Sequence, residues 1–174
     1  MQMVTTDAAA APGFASTWPA RHSPFEFCSS VHADLWKDVE ALFYFHPRQQ
    51  ALQERIRASV DEFGAPEILK RGERIHVGIA KNGAQCLFAC HDERRPGMPV
   101  GVVVYLRTGP GLIRILHLAV NPAYEHDGRH AALNLTMELV NEVRHLARRV
   151  SGVRRVQLPY VAAGFLSVPR LGGR

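Results

Sequence analysis

The sequence predicts a mixed α/β (α+β) fold, with a largely antiparallel central sheet, helices on both faces and a long crossover helix after the central strand. Three features of the chain predict it. Two helical stripes come first, Leu35-Val39-Leu42-Phe43 and Leu52-Ile56-Val60-Phe63, with apolar residues recurring every three or four positions. From Ile75 to Val120 the period changes to that of strands, with short turns rich in Gly, Pro and Asn between the runs. One long helical stripe, Arg129 to Val150, then precedes a last β-type run, so the strands on either side of that helix are expected to lie parallel.

The elements follow in order. Residues 1–24 are rich in Ala, Thr, Pro and Gly and are expected to form a flexible leader. Pro24 to Ser30 alternates apolar and polar side chains as a short strand does, and the first helix is expected to start at Ser30 or His32 and to stop before Pro47. The second helix, Gln49 to Phe63, ends at Gly64-Ala65-Pro66, where proline cannot continue the helical ladder. Ile75–Ala80 and Gln85–Cys90 flank Lys81-Asn82-Gly83, a hairpin signal. Val100–Arg107 is a β-branched strand. Leu112–Val120 is apolar on both faces and is expected to lie centrally in its sheet. The long helix, with Leu133, Met137, Val140, Leu146 and Val150 inward, closes at Ser151-Gly152, and Val153–Tyr160 is the last strand. Residues 161–174, with three glycines and one proline, are expected to be loop, so the folded domain spans 25–160.

Composition narrows the function classes. The chain has 174 residues, 47% hydrophobic and 21% charged, which suits one globular core and excludes a disordered or fibrous chain. Its 21 Lys+Arg against 16 Asp+Glu leave a formal charge of +5, nearly all of the positive side arginine, whose planar fork suits phosphates and carboxylates. Three cysteines, Cys28, Cys86 and Cys90, are an odd number for a disulfide framework, and Cys86 and Cys90 are read as buried structural thiols. With no apolar run of about 18 residues and no secretory signal pattern, no membrane association is expected and the cytoplasm is the expected compartment.

The segment from His117 to Leu133, HLAVNPAYEHDGRHAAL, ends an apolar strand and opens the long helix. The first turn of a helix has amide hydrogens without intrahelical acceptors, so a glycine-bearing turn there can seat a pyrophosphate. In its Val120, Pro122, Tyr124, Gly128 and Leu133 this segment resembles the central motif of the GNAT superfamily of acyl-CoA-dependent N-acyltransferases. The order of elements from about Phe25 to Tyr160 is also similar to that family.

The resemblance implies transfer of an acyl group, acetyl by default, from acetyl-CoA or another acyl-CoA to a small-molecule or protein amine. It implies that Gly128 and the amides of Arg129, His130 and Ala131 seat the pyrophosphate, and that Leu118 and Val120 pair with the pantetheine arm like an added strand. Two residues depart from the pattern, Glu125 at an Arg/Gln position and His130 at a Gly/Ala position. A carboxylate about 4 Å from a phosphate charge costs about 4 kcal/mol at an effective dielectric near 20, so Glu125 is expected to turn away or pair with Arg129.

Proton transfer needs its own residues. Tyr160, in Tyr-x-x-x-Gly-Phe, matches the family's thiolate-protonating tyrosine, although the upstream Asn-x-x-Ala and the usual C-terminal elements are missing. His117 is a base by its chemistry; alternation puts it opposite Leu116 and Leu118, and a bulge would re-aim it. Arg114 offers at most a contact to a substrate carboxylate. Glu125, His126, Asp127 and His130 are metal-capable, but Gly128 interrupts the spacing and no metal is expected. Arg144, Arg148, Arg149, Arg154 and Arg155 form a basic rim without interleaved aromatics, so a nucleic-acid partner is not expected of the enzyme. The alternative keeps the fold without the chemistry, as a GNAT-like module binding a protein or nucleic-acid partner. A homodimer that completes the short C-terminal half of the sheet is a further expectation.

Overall fold

The computed structural model describes residues 23–44, 47–79, 82–91, 95–159 and 164–169. It is a mixed α/β structure built on a mostly antiparallel six-stranded sheet. The strands are β1 (Glu26–Cys28), β2 (Val31–His32), β3 (Glu67–Arg71), β4 (Arg74–Gly78), β5 (Gln85–Cys90), β6 (Pro99–Gly109), β7 (Leu112–Val120), β8 (Arg155–Gln157) and β9 (Phe165–Ser167). The helices are α1 (Trp36–Tyr44), α2 (Gln53–Phe63) and α3 (Leu135–Arg149). The large sheet runs β1-β5-β6-β7-β8-β9, and β2-β4-β3 form a second, small one. Among the described residues no helix is long and apolar enough to cross a membrane.

One core lies on each face of the large sheet. On the α3 side Val103, Tyr105, Ile113 and Ile115 meet Leu135, Leu139, Val140 and Val143. On the α1 side Val102, Val104, Phe88 and Ala119 meet Leu35, Val39, Leu42 and Phe43, the stripe that the helical spacing predicts. Burial of a side chain such as Phe43 contributes about 1.5–3 kcal/mol. Helix α3 approaches β6 closely because Gly101 has no side chain: a Cβ there would stand 2.9 Å from Leu139 Cδ1.

β7 is central, with β6 antiparallel on one side and β8 on the other. β8 runs parallel to β7, as the crossover by α3 requires. The parallel pairing covers only Leu112–Arg114 against Arg155–Gln157. On its other side β8 pairs antiparallel with β9.

Several expectations need correction. β4 and β5 are not hairpin partners: β4 pairs with β2 and β3, while β5 pairs with β1 and β6. The hairpin is formed instead by β3 and β4 around Gly72, which has a φ of 59°. The Asn82-Gly83 turn hands the chain from the small sheet to the large one. α3 starts at Leu135, not Arg129, because residues 121–134 coil into two short 3-10 turns. That later start rotates the buried face, so Met137 is exposed while Leu135 and Leu139 are fully buried. Residues 161–174 are not all loop, since Phe165–Ser167 forms β9. The expected leader falls almost wholly on residues 1–22, outside the described residues.

Candidate active site

β7 reads Leu112-Ile-Arg-Ile-Leu-His-Leu-Ala-Val120, and its pairing with β6 contains one irregularity. Val104 stands opposite His117 and Tyr105 opposite Ile115, which leaves Leu116 as an extra residue. Such a bulge changes which face the following side chains take. Ile113 and Ile115 belong to the α3-side core, whereas Ala119 belongs to the α1-side core. Leu116 and His117 both line the same cavity on the α1 side. The bulge therefore re-aims His117 to the α1 side.

The cavity has a volume of about 220 Å³. Its floor is Val104, Leu116 and His117; Phe43 and Tyr44 of α1 form one wall, and Ile56, Ser59 and Val60 of α2 the other. Gly64-Ala65-Pro66 and Ile79 close the rim. This explains why α2 has no fully buried residue: the stripe at Ile56 and Val60 faces a hollow instead of packed atoms. Gly64, with a φ of 96°, turns the chain sharply out of α2 and donates its amide to Val60.

The chemistry in this hollow is sparse. The His117 ring is 7% exposed and lies 4.5 Å from the Phe43 ring. Its ring nitrogens can donate or accept a hydrogen bond. The Tyr44 hydroxyl donates to the Pro66 carbonyl at 3.3 Å, and burial pushes its phenol above the usual range, which keeps it a donor. Ser59 adds one hydroxyl. None of the described lining residues carries a carboxylate or a permanent cation.

Arg114 is already engaged. Its guanidinium donates to both carboxylate oxygens of Glu62, at 2.9 and 3.1 Å, and lies 4.8 Å over the Phe63 ring. It ties α2 to β7 in place of the substrate-carboxylate contact considered for it.

The segment after β7 differs from the expected phosphate seat. The Gly128 amide donates to the Glu125 carbonyl at 2.9 Å, the His130 amide to Ala123 at 2.8 Å and the Ala131 amide to Gly128 at 3.0 Å. These three amides hold the loop together, so they are not presented to a ligand. A Cβ on Gly128 would lie 2.4 Å from the backbone of Ala123 and Pro122, so glycine serves the packing of the loop against itself. The His130 ring stacks on Tyr124, with ring centroids 4.7 Å apart. Tyr124 is buried, and His91 Nδ1 stands 2.6 Å from its hydroxyl, linking the end of β5 to this loop. Glu125 is half-buried, its amide donating to Pro122.

Of the residues singled out from the sequence, His117 lines the cavity, while Leu118 turns its side chain to the α3-side core and Val120 lies buried in that core. Arg129 is exposed in the loop, and Tyr160 lies outside the described residues. Among the described residues no group of three or more His, Cys, Asp and Glu side chains is placed to hold a metal ion. Sequence reasoning missed Tyr44 and Ser59 as cavity residues and His91 as the partner of Tyr124. The helical spacing of Ser59 beside Ile56 and Val60 hinted at Ser59 alone.

No protein-family model, curated protein or solved structure matches this chain.

Proposed function

We propose that the chain is an N-acyltransferase of GNAT type, which moves an acyl group from an acyl-CoA thioester to an amine held in the cavity beside His117. The observation that carries the proposal is the Leu116 bulge, which puts an imidazole into an apolar hollow on the strand whose parallel pairing with β8 covers only Leu112–Arg114. The pantetheine arm would lie alongside β7 beyond its pairing with β8, as the resemblance in residues 117–133 implies. The pyrophosphate would then lie not on the Gly128 turn but nearer the start of α3, at the amides of Leu135 and Thr136, since those of Met137 and Glu138 donate to the Asn134 carbonyl.

The chain's own residues supply the rest. His117 takes the proton of the bound ammonium, and the freed amine nitrogen attacks the thioester carbonyl. A strand amide beside the carbonyl stabilises the oxyanion. As the C–S bond breaks, the thiolate takes a proton from Tyr160, the role that the resemblance gives to it, and the nitrogen's second proton passes to solvent, from which Tyr160 is reprotonated. The lining selects the amine. A cavity of about 150 Å³ admits a benzene ring, so about 220 Å³ suits a single ring or a short branched chain. Without a carboxylate in the lining, a polyamine's second charge would be left unpaired in apolar surroundings.

A specific observation favours a second possibility. The amides of Gly128, His130 and Ala131 are consumed within the loop, as in a GNAT-like module that has lost transfer and acts by binding a partner. Thiol release from acetyl-CoA and longer acyl-CoAs, measured with phenethylamine, isobutylamine and spermidine, separates the two. The enzyme releases thiol with the apolar amines and far less with spermidine. Release no faster than thioester hydrolysis with every amine would leave the binding module standing.

A further inference from the structure

Three cysteines gather where β1, β4 and β5 meet, and they are not alike. None is in a disulfide. Cys86 is held: the Val77 amide donates to its sulfur at 3.2 Å, and its thiol donates to the Ser29 carbonyl at 3.3 Å. It is 5% exposed, and burial pushes its thiol up to about 11, so it is a poor nucleophile. Cys28, on the short strand β1, is only partly buried. Its sulfur lies 3.8 Å from that of Cys90, which is 3% exposed. Its hydrogen bond with the Cys90 thiol is the main cause that brings Cys28 down to about 7, against a smaller opposing effect of burial. The geometry is that of an accessible attacking thiol with a buried resolving thiol behind it.

We propose that Cys28 and Cys90 form a reversible dithiol–disulfide couple that exchanges with low-molecular-weight disulfides. The Cys28 thiolate attacks one sulfur of the small disulfide, forming a mixed disulfide and expelling a thiolate that takes up a proton. Cys90 gives up its proton and attacks the Cys28 sulfur, forming the Cys28–Cys90 bond and releasing the second small thiol. Two protein S–H bonds are lost and two small thiols are made, and two electrons pass from the protein to the small disulfide.

Strand register explains why the bond would be reversible. Cys28 stands opposite Phe88 and Cys90 opposite Glu26, so the two cysteines are diagonal neighbours across the β1–β5 pair. Diagonal positions are about 7–8 Å apart at Cα, beyond the ~4.4–6.8 Å that a relaxed disulfide prefers, so closing the bond requires the backbone of β1 to move toward β5. A strained disulfide is the more readily reduced kind. Closure would also clamp β1 onto β5 one residue before His91, which holds Tyr124 in the loop after β7.

The test equilibrates the full chain with oxidised and reduced glutathione at a series of ratios, alkylates the remaining thiols and maps them by tandem mass spectrometry. The expected product loses two hydrogens, links the peptide of Cys28 to Cys90 and leaves Cys86 alkylated. The same link is expected in Cys86→Ser, and excess reduced glutathione reverses it. In Cys90→Ser a glutathione adduct is expected to accumulate on Cys28. All three thiols still alkylated at the most oxidising ratio, a stable adduct on Cys28 in the wild type, or a link through Cys86 would each overturn the proposal. The wild-type map decides even where a variant folds poorly.

Discussion

Ile115 and His117, two positions apart on β7, face opposite sides of the sheet. Regular alternation would place them together, and the extra residue Leu116, which has no β6 partner between Tyr105 opposite Ile115 and Val104 opposite His117, separates them. The same strand thus supplies the α3-side core with Ile113 and Ile115 and the cavity with His117. Without the bulge, the imidazole would be pressed against α3 and Leu116 alone would face the hollow.

His117→Gln keeps a polar side chain of similar reach but removes the titrating group. The turnover of an apolar amine is expected to fall by about 10²–10⁴-fold, with the acid limb of the pH–rate profile lost. Steady-state kinetics across pH check this. An unchanged profile would remove His117 from proton transfer.

Gly128→Ala tests what the glycine is for. The added Cβ meets the Ala123 and Pro122 backbone, so the loop must shift, at a cost of about 1–3 kcal/mol. A fall in melting temperature of about 2–10 °C is expected without any ligand present. An unchanged melting temperature would mean that the loop does not pack on itself at this point.

Tyr124→Phe removes the hydroxyl that His91 meets at 2.6 Å and leaves the buried ring in place. A loss of about 0.5–1.5 kcal/mol is expected in urea unfolding. Tyr124→Phe with the stability of the wild type would show that the His91 contact does not anchor the loop.

The thiols give stability a dependence on pH that can be worked out in sign. Cys28 falls from 9.0 to about 7 through its bond to Cys90, so the fold prefers the thiolate. Its contribution is fully present above pH 9 and is lost as pH falls from 9 to 7. Cys86 rises from 9.0 to about 11 through burial, so its contribution is present below pH 9 and is lost between 9 and 11. Tyr105, pushed by burial to about 12, adds to the loss above pH 10. Urea unfolding under reducing conditions is expected to show Cys28→Ser losing the wild type's gain between pH 7 and 9 while keeping the decline above it. A wild type and variant that differ by the same amount at pH 7 and 9 would contradict the assignment.

The large elements were legible in the sequence because their apolar spacing is a local property. Leu35, Val39, Leu42 and Phe43 are buried as that spacing implies, and β7, apolar on both faces, is central. The parallel pairing of β7 and β8 followed from the helix between them. Less legible was anything decided by tertiary partners. Asn82-Gly83 makes a turn, but only the small sheet's competing partners β2 and β3 decide that β4 does not pair with β5. The residues from Asn121 to Asn134 look like the entry to a helix, and carbonyl–amide bonds such as that from His130 to Ala123 coil them into turns first. The sequence suggested His117 by chemistry; the bulge that makes it useful lies in the register between two strands, which no single-strand pattern contains.

Hydrogen exchange of the full chain with and without acetyl-CoA tests the central claim most directly, because a donor lying along β7 must change the environment of that strand. Slowed exchange in peptides covering Ile115–Val120 and the first turn of α3 at Leu135 is the predicted result. Exchange unchanged in both segments at high acetyl-CoA concentration would contradict the acyl-transfer proposal.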